Sequence, residues 1–321
     1  MIFLGTAGSM PTARRAPSAT LVRRGGERLL FDCGEGTQRQ LLRSDVGLVD
    51  LQEIFLTHFH ADHFLGLPGL LKTFALRGRE VPLTLYGPRG LSALLHSLRG
   101  IMGRLTFEVG VVELAADATL GRDGYTLETF AVRHGRDAIG YALVEAERPG
   151  RFDVETADSL GVPFGPERGA LQAGREVTLA DGRVVTPQQV LGSPRPGRKL
   201  ALTGDTAPSD GVVEAAFGAD LLIHEATFCE DEAERARETE HSTALEAARV
   251  ALDARVRLLA LTHLSSRYGG GDVEREARTV FSDTVVPRDF DLIEIPFEER
   301  GSPELVKSGA RLPRAEVRSG T

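Results

Sequence analysis

Only two of the 321 residues are cysteine, Cys33 and Cys229, and they form no Cys-x-x-Cys pair. That excludes a small disulfide-built scaffold. It fits a cytoplasmic chain kept reduced, with both thiols as small buried residues. No apolar run approaches the roughly 18 residues of a membrane-spanning helix, so no membrane partner is expected. The N-terminus lacks a charged-then-apolar signal pattern, and Met1-Ile2-Phe3-Leu4 reads instead as a strand. Internal repeats are not visible. Net positive charge is missing as well: 38 Lys and Arg against 46 Asp and Glu give −8. Composition by itself therefore predicts no nucleic-acid partner. The distribution of charge weakens that objection. Acids cluster over residues 230–240, while arginines gather at Arg14-Arg15, Arg23-Arg24, Arg39, Arg43, Arg77, Arg79, Arg195 and Arg198. A local basic surface can hold phosphates on an acidic protein.

A hydrophobic content of 41% is enough for a sizeable core. Short β-rich runs alternate with amphipathic stretches. Strands are expected near residues 1–5, 18–22, 28–32, 53–57, 83–86, 107–113, 126–132, 139–145, 199–203, 221–224, 257–262 and 290–295. Helices are expected near 37–43, 64–76, 90–100, 242–254 and 273–283, with Ser242 or Thr243 as the N-cap of the fourth. Such mixing suggests an α/β fold of two sheets sandwiched between helices. Residues 148–199 break the pattern. They are dense in Gly and Pro, as in Gly161-Val162-Pro163-Phe164-Gly165-Pro166, and poor in apolar periodicity. A stretch like this inside a compact domain is a functional excursion or a disordered insert. Residues 301–321 are polar and basic and are expected to form a loose tail.

The chemistry concentrates in His58-Phe59-His60-Ala61-Asp62-His63. Four strong metal ligands crowd into six positions just after an apolar strand. Extended residues two apart point the same way, so His58 and His60 can grip one ion together. Asp62 and His63 follow as the chain turns into a helix and can face a second ion. Imidazoles with a carboxylate suit zinc, and also iron or manganese. A lone histidine would more often be a satisfied core or surface residue; four ligands at this spacing are not explained that way.

The H-x-H-x-D-H pattern resembles the metallo-β-lactamase superfamily. Phe31-Asp32-Cys33-Gly34-Glu35-Gly36-Thr37-Gln38, Gly204-Asp205-Thr206, His224-Glu225-Ala226-Thr227-Phe228, His241-Ser242-Thr243 and Thr262-His263 narrow the resemblance to the tRNA 3′-processing endonuclease family, ribonuclease Z. It runs from Met1 to about Pro296. It implies an αββα sandwich over residues 1–300, with 148–199 as an inserted flexible arm that holds the tRNA body through Gly165 and Pro166. It implies two Zn²⁺ per chain. His58, His60 and His134 would hold one ion, Asp62, His63 and His263 the other, and Asp205 would bridge them. Asp62 would orient or deprotonate the attacking water, and His241, which has no ligand role, is the candidate acid for the leaving 3′ oxygen. The bland alternative for His241 is a capping residue at a helix start. A carboxylate should orient it; the sequence does not choose one, and Glu225 is a candidate. His96 reads as structural, and His224 as either a support to the ligands or a buried structural residue. The partners implied are precursor tRNA and a second copy of the chain.

Two departures matter. The family's first loop often reads Pro-x-Lys-x-Arg-Asn and handles the tRNA 3′ end. Here Pro11 and Arg15 are kept, but Ala13 and Ala16 replace Lys and Asn, so the cleavage position relative to CCA is open. The arm is also not strongly basic. Two competing functions are a hydrolase of the same fold acting on a small phosphodiester or other ester, and a non-catalytic binding scaffold. The long Gly- and Pro-rich arm argues against the first, and the full ligand set against the second.

Overall fold

Phe3 faces one way from its strand while Ile2 and Leu4 face the other, and this two-residue alternation sets the layers of the molecule. The computed structural model describes residues 1–48 and 51–308. Strands run in order as β1 (Ile2–Gly5), β2 (Ala19–Arg24), β3 (Glu27–Phe31), β4 (Glu53–Phe55), β5 (Leu83–Pro88), β6 (Val109–Leu114), β7 (Thr119–Arg122), β8 (Tyr125–Ala131) and β9 (Ile139–Glu145). They continue as β10 (Val177–Thr178), β11 (Val184–Val185), β12 (Lys199–Leu202), β13 (Leu221–Glu225), β14 (Leu258–Thr262), β15 (Thr284–Val285), β16 (Leu292–Glu294) and β17 (Glu304–Val306). One mixed sheet has eight strands in the order β17-β16-β1-β2-β3-β4-β5-β6. The other has seven, in the order β15-β14-β13-β12-β9-β8-β7.

Inward residues of both sheets meet in one core: Phe3, Phe31 and Phe55 from the first, Tyr141, Leu200 and Ile223 from the second. Phe55 stacks on Phe31 at 5.0 Å and on Tyr86 at 4.6 Å, and Tyr141 meets both Phe31 and Phe55 edge-on. Fully burying a side chain the size of Phe55 contributes about 1.5–3 kcal/mol. The Tyr141 hydroxyl donates to Leu56 O at 2.7 Å, which ties the sheets together beside the segment that carries His58.

Outward residues are covered by helices. Over the first sheet lie α1 (Thr37–Arg43), α2 (Ala61–Phe64), α3 (Gly66–Leu76) and α4 (Leu91–Met102), with Leu41, Leu70 and Leu91 packed on Leu30, Ile54 and Leu85. The excursion after β9 carries α5 (Val154–Ser159), α6 (Pro166–Gln172) and α7 (Pro187–Val190). Beyond β12 come α8 (Asp210–Ala216), α9 (Ala233–Glu238), α10 (Ala244–Asp253) and α11 (Gly270–Ala277). Of these, α8, α10 and α11 cover the second sheet through Val212, Ala248 and Val273. The result is the αββα order of layers.

The structure differs from the sequence expectations in particular places. Residues 148–199 hold a core of their own: Ala157, Val162, Leu171, Val185 and Val190 bury one another within the excursion. Its turns interrupt every periodic run after a few residues, which hides that core from a search for periodicity. Of the tail expected to be loose, Glu304–Val306 instead pairs with β16 as β17, because β16 would otherwise present an open edge; residues 309–321 lie outside the described ones. Both cysteines are free and buried, and burial pushes each thiol up to about 12. Among the described residues no helix is long and apolar enough to cross a membrane.

Candidate metal centre

β4 lies between β3 and β5, parallel to both, so its carboxyl end opens onto a rim where binding sites form in α/β sheets. Asp32, just past β3, accepts the Thr57 backbone N–H at 2.8 Å and the Thr57 hydroxyl at 3.0 Å. This pins the chain as it leaves β4. The next turn descends onto Gly34 and Gly66. A Cβ at Gly34 would sit 2.2 Å from Asp62 O, and one at Gly66 would sit 2.0 Å from Gly34 O, so both must lack a side chain.

The rim brings the seven expected ligands together. His58, His60, His134 and Asp205 form one group, and Asp62, His63 and His263 another; within each, the ligand atoms lie within 4.8 Å of one another. Asp205 reaches both groups. Its Oδ2 is 3.6 Å from His58 Nε2 and 3.8 Å from His134 Nε2, while Oδ1 is 3.2 Å from His63 Nε2 and 3.4 Å from His263 Nε2. His60 Nδ1 stands 3.0 Å from His134 Nε2, and His263 Nε2 stands 3.1 Å from Asp62 Oδ2. A third grouping joins Asp205 and His263 to His241, but His241 Nδ1 is held by Glu225 Oε1 at 2.6 Å. His58, His63, His134, Asp205 and His263 are buried; His60 is exposed and Asp62 half-buried, so the cluster opens toward solvent on that side.

A set of groups behind the cluster aims it. Asp32 Oδ2 lies 2.7 Å from His63 Nδ1, Thr227 Oγ1 lies 2.8 Å from His263 Nδ1, and His134 Nδ1 donates to Glu240 O at 3.0 Å. Each fixes a ring and leaves the other nitrogen facing the cluster. Glu240 and His263 are held in left-handed backbone, at φ 55 and 58. Strain of this kind concentrates at functional sites. Ser9 N–H donates to Asp62 Oδ2 at 2.7 Å.

The donor set fits divalent cations. Six imidazole or carboxylate side chains converge on a seventh. Within the cluster His58 Nε2 and Asp205 Oδ1 are buried without a hydrogen-bond partner. An unsatisfied buried polar group costs roughly 1–3 kcal/mol, which a cation would relieve. Protonation states point the same way. Burial and the charge of His63 hold His58 well below the usual histidine range, and burial and His134 lower His60, so both favour the neutral, ligating form. His63 is pushed up: burial opposes this, but Asp205 and Asp32 outweigh it. Burial likewise opposes the lowering of Asp62 and Asp205, which His263 and His63 bring about. This surplus of carboxylate charge would stabilise a bound cation.

Of the remaining expected site residues, His241 lies beside the cluster, its Nδ1 4.0 Å from Asp205 Oδ2, and the others lie elsewhere. The Arg15 guanidinium turns inward, donating to Thr6 Oγ1 at 2.7 Å and Pro287 O at 2.8 Å. With Arg14 and Arg288 it lines a cavity of about 400 Å³. A neighbouring cavity of about 340 Å³ borders His241, Phe228 and Arg235, and shares Ser265 and Ser266 with the first. Gly165 and Pro166 start α6 in the excursion and belong to none of the ligand groups. His224 is fully buried; its Nδ1 donates to Glu225 O and its Nε2 meets no partner, so it supports β13 rather than a ligand. His96 is exposed on α4. His241 does not cap α10: Thr243 does, by a reciprocal bond with Glu246. Sequence reading missed Asp32, Thr227 and the Glu240 carbonyl. Asp32 and Thr227 do fall inside the quoted motifs, which is the one signal that could have raised them.

Comparison with known proteins agrees with this geometry. The model of the metallo-beta-lactamase superfamily matches residues 12–263. A ribonuclease Z from Natronomonas pharaonis is 50% identical over 302 residues, covering 92% of this chain and 98% of its own length. One from Gemmatimonas aurantiaca is also 50% identical, covering 92% and 96%. The crystal structure of human tRNase Z, short form, superimposes with a TM-score of 0.67 at 29% identity, covering 92% of this chain and 98% of that one. This chain belongs to the ribonuclease Z family of the metallo-β-lactamase superfamily.

Proposed function

We propose that the chain is a zinc-dependent endoribonuclease that removes the 3′ trailer from precursor tRNA, leaving a 3′-hydroxyl on the tRNA and a 5′-phosphate on the trailer. One observation carries the reading: Asp205 spans two ligand groups on the same rim that presents a carboxylate-held histidine, His241, beside them. His58, His60 and His134 would hold one ion and Asp62, His63 and His263 the other, with Asp205 shared. The pair of ions would activate water and neutralise the phosphoryl oxygens as the phosphodiester is displaced.

The chain's own groups complete the work. Asp62, its Oδ2 already fixed by Ser9 N–H and its side chain half-buried, orients the attacking water and accepts its proton. His241 donates a proton to the departing ribose 3′ oxygen through Nε2, since Glu225 occupies Nδ1. The cavity that borders His241 and the one adjoining it suit single-stranded nucleotides next to the scissile bond. The excursion over residues 148–199, with Gly165 and Pro166 at the start of α6, holds the tRNA body, one subunit of a homodimer serving the other's site. Such an enzyme works in the cytoplasm, where precursor tRNA is made available. The direct test compares wild type with Asp205→Ala on a precursor tRNA carrying a trailer. Cleavage by the first and none by the second is expected; equal cleavage by both would refute the assignment of Asp205.

A further inference from the structure

The excursion meets the body of the protein at a narrow neck. Its outgoing chain, 148–152, pairs antiparallel with its returning chain, 191–195. Arg148 and Arg195 exchange backbone hydrogen bonds of 2.8 and 2.9 Å, and Phe152 bridges Leu191. A Cβ at Gly150 would lie 1.9 Å from Gly192 O, so the two chains touch along the neck. Two paired chains resist stretching, yet a ribbon of two can still swing about its root.

A third segment braces the neck. Glu299, in the turn after β16, accepts a forked pair from Arg148, Nη1 to Oε1 at 2.8 Å and Nη2 to Oε2 at 3.0 Å. The same Oε1 accepts Arg195 Nη1 at 2.8 Å. One carboxylate therefore holds both chains of the neck. Phe297, two residues earlier, lies under the Arg148 guanidinium at 3.5 Å and near that of Arg198 at 4.6 Å. Arg198 in turn forks onto Glu145 of β9, with Nε to Oε2 at 2.7 Å and Nη2 to Oε1 at 2.6 Å, and donates to Ile295 O at 3.1 Å. A single exposed ion pair would contribute little, but a forked, shared and stacked set of this kind fixes direction as well as distance. These contacts also revise the expected role of Arg195 and Arg198: their guanidinium groups are engaged within the protein.

We infer that Glu299 and Phe297 are positioning residues that lock the neck of the excursion and so fix the angle at which it presents RNA to the metal centre. This rests on the proposal that the excursion binds tRNA. A substrate that must touch both the excursion and the cluster binds best when the two are already aligned, because less freedom is lost on binding. Nothing in the clamp touches the cluster, so it acts on binding and leaves the chemistry alone.

The test uses the whole 321-residue chain with metal bound. Spin labels at Ser159→Cys in α5 and Ser97→Cys in α4 report the distribution of distances between excursion and body; Cys33 and Cys229 are buried and remain unlabelled. Glu299→Gln and Phe297→Leu are expected to broaden that distribution without changing zinc content or melting temperature. The same variants should raise KM for precursor tRNA about three- to thirtyfold, with kcat and the hydrolysis of bis-p-nitrophenyl phosphate unchanged. Glu299→Asp, which keeps the charge, should recover most of the loss. An unbroadened distribution in both variants would overturn the clamp itself. A broadened distribution with unchanged KM would overturn the positioning role and place the fault in the excursion's contact with RNA.

Discussion

Glu225 Oε1 stands 2.6 Å from His241 Nδ1, and both groups are buried. Glu225 cannot swing away: it also accepts the Thr206 and Thr227 backbone amides, each at 3.0 Å. Burial alone would lower His241 and raise Glu225. The pair reverses both, pushing His241 up to about 9 and drawing Glu225 below the usual carboxylate range. The raised pKa favours the protonated form of His241, the form an acid for a poor leaving oxygen needs.

The pH dependence follows from that sign. A histidine with a raised pKa keeps its proton below that pKa and loses it as pH rises through about 9. Precursor-tRNA cleavage by wild type should decline on the alkaline side there. Glu225→Gln removes the partner that raises His241, so its decline should begin at lower pH. A rate–pH profile that is the same for both proteins would refute the pairing.

Removing the acid should leave binding intact. His241→Ala is expected to keep its metal content and its affinity for precursor tRNA while kcat falls by ~10²–10⁴-fold. Elemental analysis, filter binding and single-turnover kinetics on one preparation separate the three quantities.

Asp32 is expected to act on metal through His63, whose Nδ1 lies 2.7 Å from its Oδ2. Asp32→Asn keeps the shape and tolerates the left-handed backbone at φ 57. Metal affinity, read by competition with a chelator, should weaken about 10–100-fold.

A separate pH effect concerns stability. Burial raises Glu145, but bonds from Arg198 and Arg24 outweigh it and bring its pKa from 4.5 down to about 2. A lowered carboxylate stabilises the fold above its unfolded pKa, and the contribution is lost as pH falls from 4.5 toward about 2. Glu145→Gln should lose stability at pH 7 and show a flatter decline over that window, as read from urea midpoints.

The excursion has its own small core, separate from those of the two sheets. Replacing residues 150–192 by a short Gly-Ser linker should therefore leave zinc content and bis-p-nitrophenyl phosphate hydrolysis intact. Precursor-tRNA cleavage should fall chiefly through weaker binding. Loss of both activities in a folded, zinc-loaded protein would mean that the excursion shapes the metal centre.

Much of this was legible in the sequence because it depends on local rules. Two-residue alternation exposed the long strands, and the spacing from His58 to His63 exposed the ligand segment. His134, Asp205 and His263 lie apart in sequence, and only the family resemblance tied them to it. What stayed hidden depends on contacts between distant segments. The partner of His241 could not be chosen because Glu225 reaches it only once β13 and the turn before α10 lie side by side. Arg15, Arg195 and Arg198 read as phosphate ligands, yet Thr6, Pro287, Glu299 and Glu145 engage them inside the fold. Strands of two to four residues, such as β7, β15 and β17, carry too few positions to show a period.

The most direct measurement maps both ends of the products from a precursor tRNA with a 3′ trailer. Zinc-loaded wild-type protein should make one cut, giving tRNA with a 3′-hydroxyl and a trailer with a 5′-phosphate. Chelation should abolish the cut and added zinc should restore it. No cleavage by the zinc-loaded protein, or the same cleavage after complete metal removal, would contradict the proposed function.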